Sequence, residues 1–411
     1  MNLRASAKSS SFSESVIREM TRLAAVHDAI NLGQGYPDFP APEEVKEAAR
    51  RAITEDHNQY PITWGDPTFR RAIAAKYEAD YGVTFDPETE ICVTCGSTEA
   101  MAASFLGILD EGDEVVVFEP FYESYNPDAI LSGATGRYVI LYPPDWRFDP
   151  DELAEAFGPR TRAVMPVHMY GHPCDMPAIR EIARAFDLLV IEDCAEAHGA
   201  EIAGQKVGSF GDAACFSFYD NKILTTGEGG MVLCSDAALA EKMRLLRNQA
   251  FTQPRFVHRE IGFNYRITNV QAAIGLAQTE KVEEKVERKR EIARWYAEAF
   301  AGVDDVELPW EAPGAKNVYW MYGVKLGDSF RRGRDGVMAA MKEKGVETRA
   351  FFCPMHRQPV FVGDDPRFPE ASGDYPVSDD LWKRGLYLPS GLGLTRAQVE
   401  EVAGKLAECR D

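Results

Sequence analysis

The sequence predicts an α/β chain with a mostly parallel central sheet, helices on both of its faces, and a smaller α+β domain. Three observations carry this expectation. From about residue 65 to 235, short apolar runs alternate with helical patterns, as in a sheet buried on both sides. A long, highly charged helical stretch follows from near Thr268. After it, NVYWMYGVKL reads as a strand, and GRDGVMAAMKEKGV and TRAQVEEVAGKLAEC read as helices. The expected organisation is an N-terminal arm over 1–50 packing on the smaller domain, a large domain over 51–290, and a small C-terminal domain over 291–411.

The opening MNLRASAKSSSFSES lacks the apolar centre of a secretory signal and reads as a tail entering a helix near 13–26. A second helix is expected near 43–54. In the large domain, helices FRRAIAAKYEADY, TEAMAASFLGIL and MPAIREIARAF separate apolar runs. Those runs are EICVTC, DEVVVFEP, GRYVILY, RAVMPVHMY, DLLVIED, AACFSF and GGMVLC. NVQAAIGLAQTEKVEEKVERKREIARWYAEAF is expected to be one helix linking two domains, its charged middle largely solvated. Ligands of open α/β sheets gather beyond the carboxyl ends of the strands, so chemistry is sought there.

Composition excludes several partners. Across 411 residues, 45 Lys+Arg face 65 Asp+Glu, giving a net charge of −20. No basic stripe offsets it, so nucleic acid and anionic membrane surfaces are not expected to bind. No apolar stretch approaches the roughly 20 residues of a membrane span. The eight Cys are scattered, several in apolar runs. Cys92 and Cys95 imitate a metal or redox pair, but an extended backbone sends positions i and i+3 to opposite faces. Reduced thiols and a cytoplasmic location are expected, with no metal site.

Three local features bear on chemistry. After EICVTC come Gly96, Ser97, Thr98 and a helical pattern, so free N–H groups and the positive end of a helix dipole could hold a phosphate. The alternative is an ordinary N-cap by Ser97 or Thr98. DLLVIED ends in Glu192 and Asp193, where a carboxylate could pair with a cationic ring, take a proton, bind metal or cap a turn. Lys222 lies between two apolar strands, near Ser217, Asn221 and a Gly-rich GEGG. Partial burial there would lower its pKa and free a neutral amine for carbonyl chemistry, whereas a lone loop lysine is ordinarily just solvated. Phosphate cradle, strand-end acid and strand-end lysine together are the three anchors of pyridoxal phosphate (PLP).

With these residues the sequence resembles a fold-type I PLP-dependent aminotransferase over nearly its whole length. From about residue 166 it is similar to the DegT/DnrJ/StrS sugar aminotransferases, especially the perosamine synthase group. The carriers are YGHPCDM, IEDCAEAHGA, VGSFGDAACFSFYDNKILTTGEGGM, IGFNYRITNVQAAIGLAQ and FFCPMHRQPVF. Residues 14 to about 165 instead resemble class I aminotransferases of the kynurenine and methionine type, through NLGQGYPDFPAP, YPITWGDPTFRRAIAAKY, VTCGSTEAM and LDEGDEVVVFEPFYESY. That places a family junction near RAVMPVH and makes the chain a chimera, natural or engineered.

The resemblance implies that Lys222 carries the cofactor and Asp193 faces its pyridine nitrogen. Gly96, Ser97, Thr98 and Ser217 match phosphate ligands, Glu196 the contact to the ring hydroxyl, and Tyr122 the aromatic stacked on the ring, with core packing as its alternative. Asn264 and Tyr60 match residues that the two families lend to a neighbouring subunit's phosphate, so a homodimer with shared sites is implied. The sugar family's reaction moves an amino group from glutamate to a nucleotide-linked 4-keto-6-deoxysugar. Gly35 matches a class I position beside a substrate carboxylate, which keeps an amino-acid or 2-oxo-acid enzyme open. A PLP-binding scaffold without turnover is the third reading. Arg349 and His356 are candidate substrate contacts or solvated loop residues. Arg396, opening the last helix, is expected at the surface.

Overall fold

The computed structural model describes residues 40–57, 65–119, 121–122, 124–142, 147–250, 252, 262–263, 265–357 and 375–410. Helices α1 (Glu43–Thr54) and α2 (Pro67–Tyr81) precede the sheet. The large domain continues through β1 (Ile91–Thr94), α3 (Ser97–Ile108), β2 (Glu114–Glu119), α4 (Tyr125–Ser132) and β3 (Thr135–Tyr142). Then come β4 (Arg147–Phe148), α5 (Pro150–Ala156), β5 (Thr161–Met165), α6 (Met176–Ala185) and β6 (Leu189–Asp193). The short β7 (Glu201–Ile202) and β8 (Gln205–Lys206) lead to β9 (Ala213–Ser217), β10 (Gly230–Cys234) and α7 (Ala237–Arg247).

The main sheet has the order β1-β10-β9-β6-β5-β2-β3-β4. Pairings from β9 through β6, β5 and β2 to β3 are parallel, while β10 is antiparallel to both its neighbours. Successive side chains of a strand point to opposite faces, and both faces here are cores. In β10, Met231 and Leu233 join one cluster with Phe69, Ile73 and Phe216, while Val232 and Cys234 join another with Met101, Val117 and Met165. Continuous apolar runs are what such two-sided burial requires. Cys92 is buried within β1 and Cys95 exposed beyond it, and among the described residues every Cys is a free thiol.

The linking region differs from the expected single helix. It is two helices, α8 (Asn269–Thr279) and α9 (Val282–Ala299), broken at Glu280–Lys281. Thr268 and Gln271 form a capping box that starts α8. Nor is the charged middle solvated on every side: Val282, Val286, Lys289, Ile292, Ala293 and Tyr296 are buried. Their spacing makes one helical stripe, and Ile292 and Tyr296 pack into the core of the smaller domain.

After α9, β11 (Val306–Glu307), β12 (Ala315–Lys316), β13 (Tyr322–Leu326), α10 (Gly333–Glu343) and β14 (Arg349–Ala350) follow. The last elements are α11 (Pro376–Arg384), β15 (Gly385–Leu388) and α12 (Arg396–Ala407). Strands β11-β13-β15-β14 form an antiparallel sheet, and β12-β7-β8 a third small one. Of the expected arm, only residues 40–50 are described. α1 buries Val45, Ala48 and Ala52 and packs against α8, not against the smaller domain, and Lys281 pairs with Glu44 at 2.9 Å. The helix expected near 13–26 lies outside the described residues. Arg396 is exposed and pairs with Glu400 and Glu298. No described helix is long and apolar enough to cross a membrane.

Candidate active site

Strand register gathers the chemistry at one sheet edge. Gly230, the first residue of β10, lies beside Thr94 at the end of β1 and Ser217 at the end of β9, and Asp193 at the end of β6 lies beside Cys215. The chain leaves β1 through Gly96, whose φ of +112° suits glycine, and enters α3 with no side-chain cap. A Cβ on Gly230 would stand 2.4 Å from the Gly96 carbonyl carbon and 2.6 Å from the Ser97 nitrogen. Glycine in the GEGG segment therefore lets the turn rest on the sheet edge. Ser97 is partly buried and Thr98 exposed, and neither caps α3. The uncapped helix start is a ready anion cradle. Just inside it, burial pushes the Glu99 carboxyl up to about 8, which favours its neutral form beside an incoming anion.

Asp193 is buried, with Oδ1 accepting from the Ala195 N–H at 2.8 Å and Oδ2 accepting from the Tyr125 hydroxyl. Burial raises its pKa, opposed by those two donors and by the charge of Lys222. Tyr125, buried and beside a carboxylate, stays a phenol and hence a donor. Each carboxylate oxygen offers two lone pairs, so Asp193 can accept a further N–H.

Lys222 sits in the turn between β9 and β10, its N–H donating to the Tyr219 carbonyl at 3.0 Å. Its side chain is 11% exposed, with Nζ 3.9 Å from Glu196 Oε1 and 3.7 Å from the Trp320 ring centroid. Burial lowers its pKa against the pull of Glu196, Asp193 and Asp220. It is not a solvated loop lysine. The Glu196 carboxyl is pushed up to about 7, mainly by burial, and its Oε2 accepts from the Tyr170 N–H at 2.6 Å. Ser217 is buried; its Oγ accepts from the Tyr219 N–H at 3.2 Å, and its carbonyl lies 2.8 Å from His198 Nε2.

The structure thus brings Gly96, Ser97, Thr98, Asp193, Glu196, Ser217 and Lys222 to one edge. Tyr122 stands 47% exposed, edge-on to Tyr125 at 6.0 Å, so it is no core residue. Arg349 is partly buried on β14 and pairs with Glu347 at 3.1 Å. His356 lies 2.9 Å from Asp379 and stacks on Tyr375. Gly35, Tyr60 and Asn264 lie outside the described residues.

Three contacts escaped the sequence reading. Tyr125 reaches Asp193 from 68 residues away and Trp320 reaches Asn221 from 99. Tyr170, at φ +56°, packs its ring against Phe351, Phe352 and Tyr387. Among the described residues, His168, Glu192 and Cys194 lie close enough together to suggest a metal site. However, Glu192 already accepts from Gly208, Phe210 and Gly211 N–H groups and faces His168 Nε2 at 3.2 Å. His168 Nδ1 accepts from the Cys174 N–H at 3.1 Å, so both residues are committed to holding the strand ends.

The sequence matches the DegT/DnrJ/EryC1/StrS aminotransferase family over residues 67–407, which includes most of the stretch before the strand at 161–165. It is 43% identical to GDP-perosamine synthase of Caulobacter vibrioides over 72% of this chain and 78% of that protein. It is 32% identical to the dTDP-3-amino-3,4,6-trideoxy-alpha-D-glucose transaminase of Streptomyces venezuelae, over 81% of this chain and 86% of that one. The fold superposes on S. venezuelae DesV, solved with a ketimine intermediate, at a TM-score of 0.76 and 30% identity, covering 89% of this chain and 94% of that one. The chain therefore belongs to the DegT/DnrJ/EryC1/StrS aminotransferase family, with the fold-type I architecture and the PLP dependence of that family.

Proposed function

We propose that this chain transfers an amino group from glutamate to a nucleotide-linked 4-keto-6-deoxysugar, with PLP joined to Lys222. One observation carries the assignment of the site: an uncapped helix start, a buried carboxylate and a buried amine converge on a single sheet edge. These groups fit PLP, which has a phosphate, a basic ring nitrogen and an aldehyde. Bound PLP supplies an electron sink for the negative charge that develops at the donor's α carbon.

The chain's own groups divide the work. N–H groups of Ser97 and Thr98, with the Ser217 hydroxyl, would hold the phosphate at the positive end of α3. Asp193, whose anion two donors favour against burial, would favour a protonated ring nitrogen. Glu196 would meet the ring hydroxyl and Tyr122 the ring face. The Lys222 amine, when free, would move the proton as general acid and base, a task suited to a largely buried amine with a lowered pKa. Asn264 and Tyr60 are assigned to a partner subunit's phosphate, in a homodimer, and Arg349 to the acceptor. Of Gly35 and His356, the latter is the weaker substrate contact because Asp379 already holds it. We place the protein in the cytoplasm and retain the class I character of residues 14–165.

The sugar acceptor is supported by relatives whose names specify nucleotide-linked aminosugars. The test is a panel assay. The enzyme is loaded with glutamate and offered GDP- and dTDP-4-keto-6-deoxysugars beside common 2-oxo acids. Turnover of a sugar is expected. Turnover of the oxo acids alone would overturn the acceptor assignment in favour of the class I reading, and turnover of neither would favour a PLP-binding scaffold.

A further inference from the structure

Trp320 precedes β13 and is 5% exposed. Its indole Nε1 donates to the Asn221 carbonyl at 3.0 Å, and its ring face lies 3.7 Å from Lys222 Nζ. One side chain therefore grips two consecutive residues of the lysine turn. The tryptophan is itself anchored. Its carbonyl accepts from Lys289 Nζ at 2.8 Å, and Lys289, buried on α9, also donates to the Ser390 carbonyl at 2.6 Å and hydroxyl at 3.1 Å. Three donors meet three acceptors, tying the segment before β13 to α9 and to the chain after β15.

We propose that Trp320 is a positioning residue for Lys222, its N–H fixing the turn and its ring face seating the amine whenever that amine is not joined to the cofactor. The proposal rests on the assignment of Lys222 as the reactive lysine. An indole has a single edge donor and the strongest π face among the side chains. Phenylalanine would keep a weaker face and lose the donor; leucine would lose both. Glu196 at 3.9 Å, Asp193 and Asp220 also face the amine, and all three favour its ammonium form against burial. The Trp320 face works on their side, holding the ammonium form at the site against burial.

The test is competitive acetylation of the full-length chain freed of cofactor, across a pH series, with Lys222 labelling read by peptide mass spectrometry. The midpoint of that profile is the pKa of the Lys222 amine. In Trp320→Leu the midpoint should fall by roughly 0.4–1.5 units, and in Trp320→Phe by less, with folding checked by circular dichroism. In the holoenzyme both variants should lower kcat several-fold while leaving KM for the donor within about twofold. An unchanged midpoint in Trp320→Leu, or in Trp320→Phe should the leucine variant fail to fold, overturns the proposal. If cofactor is trapped on a different lysine while the midpoint still shifts, the contact stands and the assignment of Lys222 falls.

Discussion

Removing the Tyr125 hydroxyl tests how Asp193 is kept ionised. The carboxylate is buried and has two hydrogen-bond donors, the Ala195 N–H and Tyr125. A hydrogen bond to a charged group contributes about 1.5–3 kcal/mol, equivalent to about 1–2 pKa units. Tyr125→Phe keeps the ring, which stacks on Phe121 at 6.1 Å, and deletes one donor. Loss of a bond that favours the anion raises the Asp193 pKa above its already elevated value. Activity requires the anion, so the acidic limb of kcat/KM should move to higher pH by about 1–2 units. Activity should fall about 10–100-fold on that limb and recover as the pH rises. The assay is kcat/KM against pH for the donor, with the visible band of the bound cofactor titrated in parallel. A limb and a band that both titrate as in the parent protein would refute the reasoning.

Two further changes probe the cradle. Gly230→Ala puts a methyl group against the Gly96 and Ser97 backbone, which cannot rotate away. A stability loss of about 1–3 kcal/mol and at least about tenfold weaker PLP binding are expected; wild-type affinity in equilibrium dialysis would show that the close approach is immaterial. Glu99→Gln tests the buried carboxyl beneath the turn. Its pKa is raised from 4.5 to about 8, so the folded state holds its proton longer than the unfolded state. Stability from this group is full below pH 4.5 and is lost as pH rises toward 8, by up to about 1.4 kcal/mol per pH unit. In urea unfolding between pH 5 and 8, the variant should show a shallower decline, the remainder coming from Asp128, Glu119 and Glu196, which are raised in the same way. An equal slope would mean that Glu99 ionises freely in the folded protein.

The large domain was legible because two-sided burial leaves a local mark. β9 and β10 serve two cores and are apolar or small up to the strand-end Ser217, and such runs stand out between helices. The candidate site could be proposed from sequence where one segment carries the chemistry: the glycine turn after β1, the acid ending β6 and the lysine after β9. Tyr125 and Trp320 were not, since their partners meet them only through the packed fold. The α8–α9 break carries no Gly or Pro to announce it. In α9, charge concealed the buried stripe at 282, 286, 289, 292, 293 and 296. Lys289 was the misleading member: it is buried, its pKa pushed down to about 7, with three oxygens receiving its amine. The placement of α1 on α8 rests on small residues, Ala48 and Ala52, which mark a close contact without naming its partner.

The central claim is that the amine at position 222 is the attachment point of the cofactor. Borohydride reduction of the coloured holoenzyme, followed by peptide mass spectrometry, reads this directly. The account predicts a phosphopyridoxyl mass on the peptide containing Lys222 and its absence there in Lys222→Ala. A label on another lysine, or a protein that stays colourless when incubated with PLP, would contradict it.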